Sequence, residues 1–197
     1  MENNKSTIQI VFATGNPHKL AEINEISQGS GIEFILPPDG FNPNETGKTF
    51  EENSYIKALE ASKISKHISL ADDSGLCVDA LNGEPGIYSA RYAQTPQERI
   101  DKLLRNLAPF GNRAAKFVCA MTLVDEFGNI LNKEIGECKG EISKKQSGVN
   151  GFGYDPIFVP NGYSVTMADM SEDLKNTISH RSIALNKMIN FIKNYQN

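Results

Sequence analysis

Two adjacent aspartates, Asp72 and Asp73, stand between a short apolar run and a Ser-Gly pair at positions 74 and 75. Carboxylate oxygens are the ligands that Mg²⁺ prefers, and the ion is usually held by one or two carboxylates together with water and substrate phosphates. The pair could therefore hold a divalent metal where a strand passes into a turn. The same four residues are also typical of an ordinary surface turn, and taken alone they favour that turn.

A second candidate site is the segment Thr14–Lys19, where the first predicted strand passes into a helix. The free backbone N–H groups and the positive end of the helix dipole at such a junction attract anions. Lys19 could fold back over a bound phosphate. A plain strand-to-helix turn with an Asn16 cap and a solvated lysine explains the same residues equally well.

The segment 47–49, Gly-Lys-Thr, matches the end of a phosphate-binding loop. Asn42 stands where that loop needs its first glycine, Pro43 removes a donor N–H, and Glu45 would place a carboxylate among the phosphates. The segment is therefore not a Walker-type loop. Glu45 instead becomes a carboxylate that could join Asp73 around a metal.

Two further segments place polar or aromatic side chains where they could meet a nucleotide. Asn53 and Lys57 lie four residues apart on one face of a predicted helix and could reach a phosphate, although a solvated helix face explains them better. Gly151 and Gly153 bracket Phe152, so the backbone could approach a flat ligand on which the ring stacks. A tight turn with a packed ring explains this second segment equally well.

The composition restricts the class of protein. With 197 residues, 39% hydrophobic and 22% charged, the chain is typical of one globular domain. The net charge of −4 argues against a broad nucleic-acid surface, which requires a basic patch, but not against a nucleotide. We find no signal peptide or membrane span, and the three widely spaced cysteines are typical of reduced thiols, so we expect a cytoplasmic protein.

The elements that must position these residues follow a simple order. Apolar and β-branched runs predict strands at 8–13, 32–36, 69–71 and 76–78, a long hairpin of 116–124 and 130–142, and a strand at 156–159. Helical periodicity and capping residues predict helices at 17–29, 49–67, 96–107 and 179–194. Strands alternating with helices and followed by a hairpin predict an α/β domain with a mixed sheet flanked by helices.

Seven segments of the chain, in order, resemble the motifs of the inosine triphosphate pyrophosphatase family. They are Ala13-Thr14-Gly15-Asn16-x-x-Lys19, Glu45-Thr46-Gly47, Phe50-x-Glu52-Asn53-x-x-x-Lys57-Ala58, Ala71-Asp72-Asp73-Ser74-Gly75-Leu76, Pro85-Gly86-Ile87-Tyr88-Ser89-Ala90-Arg91-Tyr92, Gly151-Phe152-Gly153-Tyr154-Asp155-Pro156 and Ile178-Ser179-His180-Arg181. The resemblance implies a single domain over 1–197 with an elongated mixed sheet, in two lobes with a nucleotide cleft between them. It also implies Mg²⁺-dependent hydrolysis of ITP, dITP and XTP to monophosphate and pyrophosphate, and a homodimer.

The resemblance also implies roles for individual residues. Asp73 would be the catalytic carboxylate and a metal ligand, and Glu45 would be the second carboxylate at the metal, although Asn44 stands where some relatives have another acid. The implied substrate-binding residues are Thr14, Gly15, Asn16, Pro17, His18, Lys19, Asn53, Lys57, Ser74, Phe152, Gly153, Tyr154, Asp155, Lys175, His180 and Arg181. Those up to Lys57 would hold the triphosphate, Ser74 would contact the nucleotide, and those from Phe152 onward would border and read the base.

Two other functions use the same residues. A nucleotide sensor or carrier without turnover would keep the stacking and phosphate positions, but it would not need both Asp73 and Glu45. A related pyrophosphatase that acts on modified pyrimidine or methylated nucleotides would share the fold. The Ser179-His180-Arg181 element favours a purine.

Overall fold

The computed structural model describes residues 7–195, apart from the side chain of His18, and these residues form six strands and five α-helices. In chain order they are β1 (Ile8–Phe12), α1 (Pro17–Ile26), β2 (Ile32–Ile35), α2 (Phe50–Ser65), β3 (Ser69–Val78), α3 (Pro96–Leu107), β4 (Ala114–Val124), β5 (Ile130–Ile142), β6 (Phe158–Pro160), α4 (Glu172–Ile178) and α5 (His180–Tyr195). Short 3₁₀ turns cover Asp79–Leu81, Gly86–Arg91, Asp155–Ile157 and Met167–Asp169. None of the described helices has the length and apolar character that a membrane span requires.

The six strands form one mixed sheet in the order β2-β1-β3-β4-β5-β6. β1 pairs in parallel with both β2 and β3, as strands joined by crossover helices do. β5 and β6 pair antiparallel. The predicted class, an α/β fold with a mixed sheet flanked by helices, is confirmed.

β3 differs from the sequence prediction. Two short strands separated by a turn were expected at 69–71 and 76–78, but the structure has one continuous strand, and both Asp72 and Asp73 are buried within it. The surface-turn interpretation of the acidic pair was wrong. Asp-Asp-Ser-Gly favours a turn when its carboxylates are solvated; here lysine side chains pair with both carboxylates, so the strand can continue through them.

Smaller differences include the starts of one helix and one strand and a short helix that was not predicted. α2 begins at Phe50 rather than 49, because Thr49 is its N-cap, whose side chain accepts from the Glu52 N–H. β6 begins at Phe158 rather than 156, because a 3₁₀ turn precedes it. α4 was not predicted, since seven residues are too few to show helical periodicity.

The chain forms two compact units, and the expected single domain stays a prediction. Of the described residues, unit 1 contains 7–73, 120–135 and 182–195, and unit 2 contains 74–119 and 136–181. In the core of unit 1, Ala58 and Ala61 of α2 pack with Val11 and Ala13, and these small side chains let the helix lie close to the strand. The core of unit 2 is built from Leu76, Val78, Tyr92, Ile100, Leu103, Leu107, Ala115, Phe117, Cys138, Ile142, Tyr154, Ile157, Phe158, Met167 and Met170.

Candidate active site

Asp73 is a buried acid of unit 1 that is bonded through both carboxylate oxygens. Its Oδ1 accepts a hydrogen bond from Lys57 Nζ at 3.2 Å, and its Oδ2 accepts one from Asn53 Nδ2 at 3.2 Å. Both partners project from α2, where a spacing of four residues places them one above the other on the same face. Asn53 is fully buried and Lys57 is 7% exposed, so this is not a solvated helix face.

A second carboxylate reaches the same ammonium group. Glu45 Oε1 lies 3.4 Å from Lys57 Nζ, so that Lys57 contacts both Glu45 and Asp73. Glu45 precedes α2 in a loop whose backbone is held by the helix, since Gly47 N donates to Asn53 Oδ1 at 2.9 Å. The backbone N–H groups of Gly47 and Lys48 therefore donate hydrogen bonds to side chains of α2 and are not available to a phosphate.

Asp72 has a different lysine partner. Lys19 Nζ, from α1, lies 3.0 Å from Asp72 Oδ1 and 2.9 Å from Oδ2. Because successive side chains of a strand point to opposite faces of the sheet, the two aspartates meet different helices. Together the five side chains form a lysine–carboxylate cluster, namely Glu45, Asp72 and Asp73 with Lys19 and Lys57.

The protonation of this cluster is set by burial and by neighbouring charges. Burial raises the pKa of the Asp73 carboxyl above its ordinary value, although Lys57 and Asn53 act to lower it. The charges of Asp72 and Glu45 add to the increase. Burial acts to lower the pKa of Lys57, but the three surrounding carboxylates outweigh it and hold the pKa above its ordinary value. Three carboxylates against two ammonium groups leave the cluster with a deficit of positive charge.

The donor atoms of the cluster determine whether it can hold a metal ion. Within residues 7–195 no group of three or more His, Cys, Asp or Glu side chains is arranged to hold a metal by itself. Glu45 and Asp73 nevertheless supply two carboxylates around one ammonium group. Mg²⁺ commonly takes only one or two carboxylates and completes its shell with water and substrate phosphates. These two residues fit an ion that arrives with a polyphosphate.

The segment Thr14–Lys19 forms the turn between β1 and α1. Thr14 Oγ1 accepts from Asn16 N at 3.0 Å, and Asn16 O accepts from Lys19 N, so the turn is organised by its own side chains. Pro17 begins α1, as expected for a residue whose missing N–H is not needed there. Gly15 leaves open space where a side chain would lie. The side chain of His18 lies outside the described part of the structure.

In unit 2, Asp155 organises the loop that contains the two glycines and Phe152. Its Oδ2 accepts from Phe152 N at 2.9 Å and from Lys175 Nζ at 2.9 Å. Gly151 is required at its position, because its φ is +73° and a Cβ there would lie 2.2 Å from the same oxygen. The loop is therefore folded around a buried carboxylate.

The ring of Phe152 lies beside two cations. Lys175 Nζ is 4.8 Å and Arg181 Cζ is 5.7 Å from the ring centroid, and both cationic side chains are buried, whereas Phe152 is 40% exposed. A flat ligand on the exposed part of the ring would meet buried donors beside it. This arrangement suits a planar heterocycle that carries oxygen acceptors.

Three other predicted residues of unit 2 differ in their surroundings. Tyr154 is buried and donates from its hydroxyl to Ser89 O at 3.0 Å. His180 is buried and stacks on Phe117, with ring centroids 4.8 Å apart and planes 13° from parallel. Ser74, which follows Asp73 on β3, is half-buried.

The structure thus brings the predicted residues together in two groups, one in each unit. In unit 1, Asn53 and Lys57 bind Asp73, and Lys57 also contacts Glu45. In unit 2, Lys175 and Arg181 lie beside the Phe152 ring, and Asp155 binds Lys175 and Phe152 N. The pairing of Asp72 with Lys19 was not predicted from the sequence. Strand alternation was the signal that could have separated the partners of the two aspartates.

Comparison with known proteins points to one family. The model of the Ham1 family matches residues 10–191. A dITP/XTP pyrophosphatase of Prochlorococcus marinus (strain NATL1A) is 44% identical over 186 residues, which is 94% of each chain. A protein of the same name from Aquifex aeolicus (strain VF5) is 42% identical over 199 residues, covering 95% of this chain and 98% of its own.

Solved structures agree with the sequence matches. The HAM1 protein of Coxiella burnetii is 40% identical, with a TM-score of 0.86, and the match covers 95% of this chain and 99% of that one. The Ham1 protein of Staphylococcus aureus is 39% identical, with a TM-score of 0.85 and the same coverage. The mixed six-stranded sheet is therefore the fold of these proteins, and the family resemblance seen in the motifs is confirmed.

Proposed function

The chain belongs to the Ham1 family, and from this membership we propose that it hydrolyses dITP, ITP and XTP to the nucleoside monophosphate and pyrophosphate. Relatives named dITP/XTP pyrophosphatase match it along nearly their whole length. The observation that carries the proposal is the contact of the buried Lys57 with both Asp73 and Glu45. A protein that only bound nucleotides would not need two carboxylates beside a phosphate-binding lysine.

Asp73 is the proposed general base. A water molecule attacks the α-phosphorus, its proton passes to an Asp73 oxygen, and the bond to the α–β bridging oxygen breaks with release of pyrophosphate. The raised pKa of Asp73 makes its carboxylate a better proton acceptor than an exposed aspartate. Asn53 and Lys57 fix the carboxylate in place through one hydrogen bond to each oxygen.

Positive charge is needed where the departing pyrophosphate gains negative charge. Lys57 and Lys19 are the cationic side chains of unit 1 that we assign to the phosphates, Lys19 exchanging its Asp72 contact for a phosphate oxygen. Glu45 and Asp73 would hold Mg²⁺, which supplies charge neutralisation on the phosphates when bound. The turn Thr14–Lys19 adds backbone N–H donors at a helix start.

The base is assigned to unit 2. Hypoxanthine and xanthine carry a 6-oxo acceptor where adenine carries an amino donor. Buried donors from Lys175 and Arg181 beside the Phe152 ring would pair with the oxo group and would lose their partner with adenine. Tyr154 and Asp155 would border the base, His180 would help to read it, and Ser74 would contact the nucleotide.

The test is pyrophosphate release in the presence of Mg²⁺ with ITP, dITP, XTP, GTP, ATP and dUTP. We expect turnover of the first three and slow turnover of ATP and dUTP. Absence of turnover with all of ITP, dITP and XTP, or equal turnover of ATP, would contradict the proposed function. Faster hydrolysis of dUTP would instead indicate the pyrimidine-directed alternative.

We also propose that the protein is a cytoplasmic homodimer, as the family resemblance implies. The chain has a mass of 21.7 kDa, so light scattering of the purified protein should give about twice that value. A mass equal to one chain at micromolar concentration would contradict the dimer. Fractionation of cells that express the tagged full chain would test the location.

A further inference from the structure

The motif at 85–92 has no role in the proposed function, although it is one of the seven segments that resemble the family. Its centre is the 3₁₀ turn Gly86–Arg91, and within that turn Ser89 is buried, with 7% of its surface exposed. A buried hydroxyl is unfavourable unless its hydrogen bonds are made. The partners of Ser89 therefore indicate what the turn does.

Ser89 makes three hydrogen bonds that join three different segments of unit 2. Its hydroxyl accepts from Leu76 N at 2.9 Å and donates to Gly86 O at 2.6 Å. Its backbone carbonyl accepts from the Tyr154 hydroxyl at 3.0 Å. One residue thus connects β3, its own 3₁₀ turn, and the loop that carries Phe152.

The connection to β3 is supported by the backbone beside it. Val78 N donates to Glu84 O at 3.1 Å, and Cys77 forms an isolated antiparallel bridge with Pro85. The segment before the turn is therefore already paired with the end of β3. The Ser89 hydroxyl extends this pairing to Leu76, the third residue after Asp73.

The connection to the loop is a specific donor contact. Tyr154 is 4% exposed, and burial raises the pKa of its phenol, so its hydroxyl keeps the proton that it donates. Tyr154 lies between Phe152 and Asp155 in the chain. These two residues are joined by the hydrogen bond from Phe152 N to the Asp155 carboxylate. A shift of the Tyr154 ring would therefore move the residues assigned to the base.

We propose that Ser89 is a positioning residue for substrate selection, which holds the loop 151–155 in register with β3 through Tyr154. This inference rests on the proposed function, because it assigns the loop to the purine base. Ser89 does not touch the substrate. Its effect is on the affinity for the base rather than on the chemical step.

The test is a double-mutant cycle with Ser89→Ala and Tyr154→Phe, measured by pyrophosphate release from dITP and dATP. Ser89→Ala removes the hydroxyl bonds to Leu76 N and Gly86 O but keeps the backbone carbonyl that accepts from Tyr154. Tyr154→Phe removes the donor to that carbonyl. We expect each to raise KM for dITP by roughly fivefold to tenfold, the size of about one lost hydrogen bond, with kcat within about twofold of the wild type. The two sets of bonds lie in series along one connection, so losing either breaks it. The double variant should therefore raise KM no further than the more impaired single variant.

Ser143→Ala is the matched control, because that hydroxyl also donates to a backbone carbonyl of unit 2, Lys145 O, but lies outside the connection. Its KM for dITP should equal that of the wild type. A protein that is merely destabilised loses active molecules, which lowers kcat and leaves KM unchanged.

Several results would overturn the inference. They are an unchanged KM in both single variants, a loss of kcat alone, or effects that multiply in the double variant. If Ser89→Ala does not fold, an unchanged KM in Tyr154→Phe is sufficient to reject it. A wild type inactive on both dITP and XTP would contradict the proposed function itself, whereas an active wild type with unchanged variants contradicts only the role of Ser89.

Discussion

Asp72 and Asp73 are neighbours in the chain, but their surroundings give them different chemistry. Asp72 is paired through both oxygens with Lys19, whereas Asp73 shares its oxygens between Lys57 and the neutral Asn53 amide. Asp73 carries one hydrogen bond on each oxygen, and burial raises the pKa of its carboxyl. This arrangement supports the proposed role of Asp73 as the base.

The first prediction concerns Asp73→Asn. The amide keeps the shape and can still hydrogen bond with α2, but it cannot accept the proton of the attacking water, so kcat for dITP should fall by about 10²–10⁴-fold. Binding of dITP, measured by calorimetry, should be retained. Asp39→Asn, in the exposed loop after β2, is the control and should keep wild-type turnover. Near-normal turnover in Asp73→Asn would show that another group is the base.

The second prediction concerns Glu45→Gln. The neutral amide is a weaker Mg²⁺ ligand and no longer attracts Lys57, so the Mg²⁺ concentration that gives half-maximal activity should rise by about tenfold. Saturating Mg²⁺ should restore most of the turnover. Glu126→Gln changes an exposed glutamate of the β4–β5 loop and should not alter the Mg²⁺ dependence. An unchanged Mg²⁺ midpoint in Glu45→Gln would remove Glu45 from the proposed metal site.

The third prediction concerns the thiols. The sequence indicated reduced cysteines, and the described chain has three free ones. Burial raises the pKa of Cys138 from 9.0 to about 11, so its reactive thiolate is about a hundredfold scarcer near neutral pH. Alkylation at pH 8, followed by peptide mass spectrometry, should modify Cys138 much more slowly in the native protein than in urea. Equal rates would contradict the burial.

At the scale of elements, helix and strand bounds were predicted best where a single hydrophobic periodicity with clear end signals dominates the segment. α3 and β5 were predicted with the bounds that the structure has, because a Pro start and a strong apolar face define α3 and a Gly-containing loop defines the start of β5. β3 was divided wrongly, since the turn propensity of Asp-Asp-Ser-Gly is local and the lysines that override it are 53 and 16 residues away in the chain. Short α4 gave no periodic signal.

The loop 151–155 shows why a candidate site is harder to predict than an element. The sequence could not decide between a tight turn and a ligand-binding loop, and the structure shows that the turn is built around Asp155. The partner Lys175 comes from α4, the helix that was missed, 20 residues later. Only the folded chain reveals that the loop's carboxylate and this lysine belong together.

The fourth prediction compares two glycines of this loop. Both Gly151 and Gly153 have positive φ, so Ala at either position is strained, at a cost of about 1 kcal/mol. At Gly151 the added Cβ would also lie 2.2 Å from Asp155 Oδ2, whereas at Gly153 it meets nothing within 4 Å. Gly151→Ala should therefore raise KM for dITP well above the value for Gly153→Ala. Equal KM values would contradict the role of Asp155 in shaping the loop.

At the scale of the whole molecule, the net charge of −4 conceals how the cations are distributed. Each unit contains buried or half-buried cations paired with carboxylates: Lys57 and Lys19 in unit 1, and Lys175 in unit 2. Such pairs cost desolvation free energy and are weak evidence of stability. In the proposed function, the unit 1 cations are released to the phosphates of the substrate and Lys175 is released to the base.

The fifth prediction follows for the stability of the whole protein. A ligand that binds only the folded state stabilises it by mass action, by about 2.7 kcal/mol at a hundred times its Kd. For a chain of this length, that corresponds to a rise in Tm of about 5–10 °C. The Asp73→Asn variant should show this rise with dITP and Mg²⁺, because it binds the nucleotide without consuming it. Differential scanning calorimetry is the measurement.

Comparison with dATP at the same concentration separates recognition of the base from attraction of the triphosphate. Both nucleotides carry the same phosphates and sugar, so a rise in Tm caused only by the cations of unit 1 would be equal for the two. The donors beside Phe152 can hydrogen bond with the 6-oxo group of hypoxanthine but not with the amino group of adenine. They should therefore add binding free energy for dITP alone, and dITP should give the larger rise in Tm. In Arg181→Ala combined with Asp73→Asn, the two rises should converge. Equal rises in Tm for dITP and dATP in the Asp73→Asn variant alone would mean that unit 2 does not distinguish the two bases.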